Sequence, residues 1–474
     1  MLPDEVLLEM LDFYLVEAME DEEDVYSDNK MEAWQALVHV CRRWRSVVFG
    51  SPRRLKLKLV CTTETTARDT LDVWPALPLV VQGEMDYVDN IIALLDSECS
   101  DRINQISLLG SNWEDISEAM EVPFPELTGL ELEHSRDEIV PVSISDSFLG
   151  GSAPQLQFLG LRSIPFPGLP KLLSSATHLT RLHLSNIPHS GYISPEAMVT
   201  CLSPSTSLEV LSLEFQSPQS CPDQESRHPP PPKRTVLPAL TRFWFKGVCE
   251  YLEGLVARVD APRLNSLEIT FFNDIIFDTP QFTRLISQTP TLKGFDEAKV
   301  ALGGRTAHVK LSSKTSSNGK LNVNISCREL DWQVSFLEQV CASFLPPLSM
   351  LEDLYIYEHA WLKWLHGWED NIDNSLWLEL LYPFTSVKNL YPSEQIASRI
   401  VPALQELVGE RATELLPALQ NIYLEKLPPS GLVQEGVGKF VAARQVTSHP
   451  ITVSRFAGLD IRVGQGSKRS GLVD

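Results

Sequence analysis

The segment Leu179-Thr180-Arg181-Leu182-His183-Leu184 contains the pattern that decides the fold. In an extended chain, Leu182 and Leu184 point to one side and His183 points to the other. One short strand cannot bury two leucines by itself. The segment therefore predicts a strand that needs further units of the same kind beside it.

The same spacing of apolar residues, Leu-x-x-Leu-x-Leu, recurs along most of the chain. Seven copies begin 23 to 32 residues apart, and two more fit further on. The copies begin at Ile103, Leu127, Leu156, Leu179, Leu208, Leu240, Leu264, Leu351 and Leu419. Chance spacing of leucines is the alternative to a repeat. Stacked units would share one parallel sheet and one continuous core.

These copies resemble leucine-rich repeats, which pair one strand with one helical segment in each unit. The asparagine or cysteine that usually stands three residues after the third apolar position is absent from them. We therefore expect an α/β fold in which an irregular solenoid of parallel strands and helices occupies residues 53–463. A proline-rich insert at 216–234 and a hairpin at 308–327 interrupt it, and 464–474 reads as a flexible tail.

The N-terminal region carries a different pattern. Apolar residues in 2–11, and again in 34–48, recur at helical spacing, so two amphipathic helices are expected near 2–16 and 31–49. From periodicity alone, these helices would be an N-terminal cap on the larger domain. Their residue identities indicate something more specific.

The stretches Leu2-Pro3-Asp4-Glu5-Val6-Leu7-Leu8-Glu9-Met10 and Val40-Cys41-Arg42-Arg43-Trp44 resemble the F-box motif, in the form abundant in mushroom-forming fungi. The resemblance implies a helical domain at 1–52 that docks onto the Skp adaptor of a cullin ubiquitin ligase. The segment 17–32 is longer and more acidic than is usual in that family. The implied adaptor-binding positions are Leu2, Pro3, Val6, Leu7, Met10, Val40, Cys41 and Trp44.

Composition limits the functions that the chain can have. A formal net charge of −22 argues against nucleic-acid binding. No apolar run is long enough to span a membrane, and the N-terminus does not resemble a secretory signal. The eight cysteines form no Cys-x-x-Cys pair. We expect a protein of the cytoplasm, the nucleus or both, with reduced thiols.

No motif for catalysis, for a cofactor or for a metal is present. The stretch Gly431–Lys439 imitates a phosphate-binding loop, but its lysine is misplaced, and we interpret it as a loop or turn. The chain is therefore expected to be a non-enzyme without a cofactor.

Target binding is expected on the concave face, where side chains between and beside the strand leucines point outward. Arginine and aromatic residues are enriched at binding hot spots. The candidates are Arg162, Arg181, His183, Arg242, Trp244, Lys246, Tyr355, Tyr357 and Tyr423. The leading hypothesis is a substrate receptor of a Skp–cullin–F-box ligase with an unknown protein target. The alternatives are a ligase-independent interaction scaffold and an enzyme whose site is assembled from distant residues.

Overall fold

The computed structural model describes most of the chain. The described residues are 3–20, 37–51, 55, 58–62, 77–84, 88–95, 99–111, 113–135, 144–220, 234–272, 279–304, 306–314, 319–327, 329–343, 348, 350–358, 373–407, 411–425 and 431–456. They belong to two compact units, Met1–Ala261 and Pro262–Asp474. The division falls inside the range 53–463 that the sequence assigns to one solenoid. Leu2, most of the acidic segment 17–32, residues 221–233 of the proline-rich insert and the tail 464–474 lie outside the described residues.

Two helices open the first unit. Helix α1 is Asp4–Glu20, with Pro3 directly before it and the acidic Asp4 and Glu5 in its first turn. Helix α2 is Arg42–Gly50. Arg43 on α2 forms an ion pair with Asp4 on α1 at 2.6 Å, which ties the two N-terminal ends together.

The second N-terminal helix is shorter than the sequence predicts. Leu37 and Val38 are helical, but the chain turns at the next two residues, and α2 begins anew after Cys41. The Cys41 sulfur accepts a hydrogen bond from the Trp44 backbone N–H at 3.5 Å, as an N-cap residue does. Cys41 and Val40 therefore lie in the connection between helical turns, and not within a continuous helix.

The described residues of the first unit include ten strands. They are β1 (Leu59–Cys61), β2 (Leu79–Glu84), β3 (Ile103–Gly110), β4 (Gly129–His134), β5 (Phe158–Arg162), β6 (Arg181–Ile187), β7 (Val210–Phe215), β8 (Thr235–Val236), β9 (Arg242–Gly247) and β10 (Val259–Asp260). Strands β1 to β7 and then β9 pair side by side in chain order, all parallel, while β8 and β10 form a separate parallel pair.

Along the chain, helices alternate with many of the strands of this sheet. They are α3 (Val88–Leu95), α4 (Glu114–Ala119), α5 (Leu169–Ser175), α6 (Pro195–Leu202) and α7 (Cys249–Val256). The start of helix α6 is determined by its sequence. The Ser194 hydroxyl accepts a hydrogen bond from the Ala197 N–H, and Pro195 occupies the first helical position. The repeat leucines are buried. For example, Leu179, Leu182 and Leu184 are at most 3% exposed. The parallel strands and intervening helices confirm the predicted α/β repeat fold.

In the second unit, the part of the chain that the structure describes has eight strands, both parallel and antiparallel. They are β11 (Ser266–Phe271), β12 (Glu297–Leu302), β13 (Thr306–Ser312), β14 (Lys320–Ser326), β15 (Asp353–Glu358), β16 (Asn389–Pro392), β17 (Asn421–Glu425) and β18 (Thr452–Phe456). Strands β12, β13 and β14 form an antiparallel meander, and the segments predicted to form a hairpin lie in β13 and β14. Because β14 also pairs with β11 and β12 with β15, both in parallel, the meander keeps the sheet continuous.

The helices of the second unit are α8 (Pro280–Gln288), α9 (Leu330–Ser343), α10 (Asn374–Leu381), α11 (Glu394–Gln405), α12 (Arg411–Glu414) and α13 (Gly431–Val446). The interpretation of Gly431–Lys439 as a loop or turn is wrong, because these residues form the first half of α13. A Cβ atom at Gly436 would collide with Val401 and Gln405 of α11. This glycine therefore allows two helices to approach closely, a role that the spacing of glycines alone does not reveal.

None of the helices described here is both long enough and apolar enough to cross a lipid bilayer.

Candidate binding faces

In the first unit, a cluster of arginine and aromatic side chains occupies the open face of the sheet, which is the side opposite the buried leucines. We call it the cationic–aromatic patch. Its members come from β5, β6 and β9 and are Phe158, Arg181, His183, Arg242 and Trp244. Strand register brings them together, because β6 and β9 each contribute residues at the same two positions of the repeat and β5 contributes Phe158 at the first of them.

The rings and guanidinium groups of the patch contact one another in a chain. The Arg181 Cζ atom lies 5.1 Å from the centre of the Phe158 ring, and the Arg242 Cζ atom lies 5.8 Å from that of Trp244. Between them, the His183 ring is 5.7 Å from Phe158 and 5.9 Å from Trp244. These are cation–π and aromatic distances, and such contacts hold the side chains in defined positions.

Strand β7 forms the floor between the two arginine-bearing strands. Val210 is in register with Arg181 on one side and Arg242 on the other, and Ser212 is likewise between His183 and Trp244. Both floor residues are buried. Because these two side chains are short while their neighbours are long, the neighbouring side chains cover β7.

The patch is electropositive. The pKa of His183 is lowered, first because the ring is partly buried and then because Arg181 and Arg242 carry positive charge beside it. On the same face, Arg162 pairs with Glu133 at 3.5 Å. Lys246 is in register with Glu214, which accepts a hydrogen bond from Ser212 at 3.2 Å. The predicted residues Arg162 and Lys246 therefore lie beside acidic residues at one edge of this face.

In the second unit, three tyrosines from consecutive strands stack on the open face. The rings of Tyr355 and Tyr391 are 4.3 Å apart with an 11° angle between their planes, and those of Tyr391 and Tyr423 are 4.5 Å apart at 6°. We call this set the tyrosine stack. Burial, and then the neighbouring Tyr391 hydroxyl, raise the pKa of Tyr355 to about 12.

A polar ladder lies one row away from the tyrosine stack, at the start of the same strands. The Asn421 side-chain amide donates to Asn389 Oδ1 at 2.8 Å, and the Asn389 amide donates to Asp353 Oδ1 at 2.6 Å. Asp353 is 1% exposed and forms an ion pair with Lys314. The ladder fixes the register of three strands that also hold the tyrosines.

Lysine and aromatic side chains lie near the tyrosine stack, together with the Glu297 carboxylate. The Lys299 Nζ atom lies 5.5 Å from the centre of the Tyr355 ring and 2.7 Å from a Glu297 carboxylate oxygen. The pKa of Lys310 is lowered by burial, with Lys299 and Lys320 adding to the effect. The predicted residue Tyr357 is outside the stack and contacts His308, with ring centres 6.5 Å apart.

Sequence reasoning missed two members of these clusters. Phe158 precedes the second leucine of its copy, the same repeat position as Arg181 and Arg242, but it was not among the candidates. Tyr391 was missed because its repeat reads Val387-x-x-Leu390-x-Pro392, and the proline breaks the leucine pattern. The recurring Asp/Asn-apolar-Tyr of Asp353–Tyr355, Asn389–Tyr391 and Asn421–Tyr423 is the signal that could have found it.

The residues implied to bind an adaptor divide into buried and exposed groups. Leu7 is buried together with Leu11, whereas Val6 is 40%, Met10 is 53% and Val40 is 60% exposed. Pro3 and Cys41 are exposed, and Trp44 is half-buried. Phe13, at 72% exposed, extends the stripe of Val6 and Met10 along α1.

Within the described residues, no group of three or more His, Cys, Asp or Glu side chains is arranged to hold a metal ion.

Comparison with known proteins adds little to this description. No family model matches the chain, and no curated protein matches it. Among solved structures, it is similar to the leucine-rich repeat-containing protein LegL7 from Legionella pneumophila. The two are 12% identical with a TM-score of 0.30, over 71% of this chain and 97% of the other. The repeat architecture described above rests on strand register and on the buried leucines.

Proposed function

We propose that the chain is a non-catalytic substrate receptor of a Skp–cullin–F-box ubiquitin ligase. In this proposal, α1 and α2 dock onto the Skp adaptor, and the repeat strands hold a protein target. The solenoid would raise the concentration of that target near a conjugating enzyme held elsewhere in the complex. Catalysis would then take place on other subunits.

The observation that carries the proposal is the second apolar stripe of α1. Leu7 and Leu11 are buried within the chain, while Val6, Met10 and Phe13 recur at helical spacing on an exposed side. A helix needs one apolar stripe to pack within its own chain. A second, exposed stripe is typical of a surface that a partner covers. It lies on the helix whose sequence resembles the start of the F-box motif.

The test is co-purification of the full chain with its Skp adaptor after co-expression. The variant Met10→Asp/Phe13→Asp places two charges in the exposed stripe and leaves the buried Leu7 and Leu11 intact. We expect it to lose the adaptor. The matched control, Met350→Asp/Val446→Asp, makes the same type of change at residues that are 63% and 86% exposed, and it should retain the adaptor. The proposal fails if the folded wild-type chain does not co-purify, or if both variants bind equally well.

A ligase-independent scaffold is the second candidate. Helix α1 continues to Glu20, into the acidic segment by which this chain departs from the F-box pattern. That extension favours the scaffold if it prevents the two helices from docking. In that case the adaptor would be absent from the purified chain while the open faces still bound a target.

A further inference from the structure

Two arginines of the cationic–aromatic patch have no acidic partner among the described residues. Arg181 and Arg242 are exposed, and no described carboxylate lies within ion-pair distance of either guanidinium. Arg162, on the same face, does have such a partner in Glu133. In a chain with a formal net charge of −22, two neighbouring unpaired arginines are a localised positive site on an acidic molecule.

The register of the sheet places these two arginines at a distance that suits one anionic group. They are two strands apart, so their Cα atoms are separated by about 9.5 Å. Val210 lies between them in the register and is itself covered by the side chains around it, whereas both arginines are exposed. A carboxylate that approaches from solvent between the two arginines can accept hydrogen bonds from both guanidinium groups.

The arginines are also held in place before any partner binds. Arg181 lies over Phe158 and Arg242 lies over Trp244, at the distances given above. A side chain that is already positioned loses less conformational entropy on binding. Beyond the arginines, the His183 and Trp244 rings provide an adjacent apolar surface over Ser212.

We propose that the cationic–aromatic patch binds an acidic, extended segment of the target protein. One Asp or Glu side chain of that segment lies between the exposed guanidinium groups of Arg181 and Arg242. A neighbouring residue of the segment packs against His183 and Trp244. This inference rests on the proposed role of the repeats in target binding and specifies the chemical class of the target segment.

The experiment measures fluorescence anisotropy of labelled twelve-residue peptides with the full chain. The probe is an alternating Glu-Ser peptide, which places its carboxylates on one side of an extended strand. An alternating Gln-Ser peptide is the neutral control, and a phosphoserine-Gly peptide tests a different anion. The proteins are the wild type, Arg181→Gln/Arg242→Gln and Arg263→Gln/Arg284→Gln. The last removes the same two charges from exposed arginines outside the patch.

We expect the Glu-Ser peptide to bind the wild type and the control variant equally, and to bind Arg181→Gln/Arg242→Gln at least about tenfold more weakly. The Gln-Ser peptide should bind all three proteins at least about tenfold more weakly than the Glu-Ser peptide binds the wild type. Equal loss in both variants, or no binding to the wild type, overturns the inference. Tighter binding of the phosphoserine peptide with the same arginine dependence overturns the choice of a carboxylate. Adaptor co-purification is measured separately, so it reports on the proposed function even if no peptide binds.

Discussion

The open faces of the two units use the same repeat positions for different purposes. At the position before the second apolar residue, the first unit has Phe158, Arg181 and Arg242, whereas the second unit has the hydrogen-bonded Asp353, Asn389 and Asn421. At the position after it, the first unit alternates large and small side chains, and the second places tyrosines on three consecutive strands.

This difference depends on which side chains occupy consecutive strands. Neighbouring parallel strands are about 4.8 Å apart, which is close to the distance between stacked aromatic rings. Identical rings on consecutive strands therefore stack on one another, as in the tyrosine stack, and leave little ring surface for a partner. In the first unit, Val210 and Ser212 interrupt the row; the His183 and Trp244 rings contact each other across β7, and the Arg181 and Arg242 side chains remain exposed to a partner. The comparison indicates that the second face contributes more to stability and the first more to recognition.

The largest effect is expected from breaking the polar ladder. Asp353→Ala removes a buried carboxylate and leaves the part-buried Asn389 amide without its acceptor, while the half-exposed Lys314 loses its partner to solvent. We expect the free energy of unfolding to fall by about 2–3 kcal/mol, since hydrogen bonds to a charged group are worth more than neutral ones. Denaturant unfolding measures the loss, and hydrogen exchange should locate it in β15, β16 and β17.

Two variants serve as controls for this prediction. Asp353→Asn removes the charge but keeps an acceptor for Asn389, so it should lose less. Arg162→Ala breaks the half-exposed pair with Glu133 in the first unit, where the expected loss is within about 1 kcal/mol. Equal losses in Asp353→Ala and Arg162→Ala would show that the ladder has no special role.

An intermediate effect is expected from the centre of the tyrosine stack. Tyr391→Ala removes two ring contacts at once, and we expect a loss of about 1–3 kcal/mol, since each aromatic pair contributes about 0.5–1.5 kcal/mol. Tyr391→Phe keeps both rings in contact and should retain most of that stability. Thermal unfolding followed by near-ultraviolet circular dichroism measures both variants. If the phenylalanine variant is as unstable as the alanine variant, the hydroxyl and not the stack is responsible.

The sequence predicted the repeat more completely than the faces. Leucine spacing located β3 to β7, β9 and β11, because burial of those leucines is a local property of each strand. It also placed Arg181, His183, Arg242 and Trp244 on one open face. The sequence could not show that they touch, because contact depends on which strands become neighbours and on the short side chains of Val210 and Ser212 between them.

The misses have physical causes of the same kind. The sequence predicts Cys41 inside a helix, yet its sulfur caps α2. The hydrogen bond that this sulfur accepts from the Trp44 N–H, three residues later, competes with continuation of the helix. Gly431–Lys439 was interpreted as a loop or turn, yet it is helical, and Gly436 within it makes room for α11. In both cases a tertiary or capping contact overrides the local signal.

The smallest effect is expected from His183. It concerns the pH dependence of the free energy of unfolding, and it arises on the open face of the first unit. Because the pKa of His183 is lowered in the folded chain, the unfolded chain, with an ordinary value of about 6.5, binds more protons just below neutrality. The groups on this face that set the local charge are Arg181, Arg242, Glu214 and Lys246. Stability should therefore fall as the pH drops from about 7.5 through 6.5 toward the folded pKa.

Replacing this histidine should remove that part of the pH dependence. We expect the free energy of unfolding of His183→Gln to fall less than that of the wild type between pH 7.5 and 5.5. The exposed His178→Gln, a histidine outside the patch, should follow the wild type. Denaturant unfolding at several pH values measures the three curves. If His183→Gln and the wild type run parallel, neither burial nor the charges of Arg181 and Arg242 lower the pKa of His183 in the folded chain, and the electrostatic argument for an acidic segment on this face loses that support.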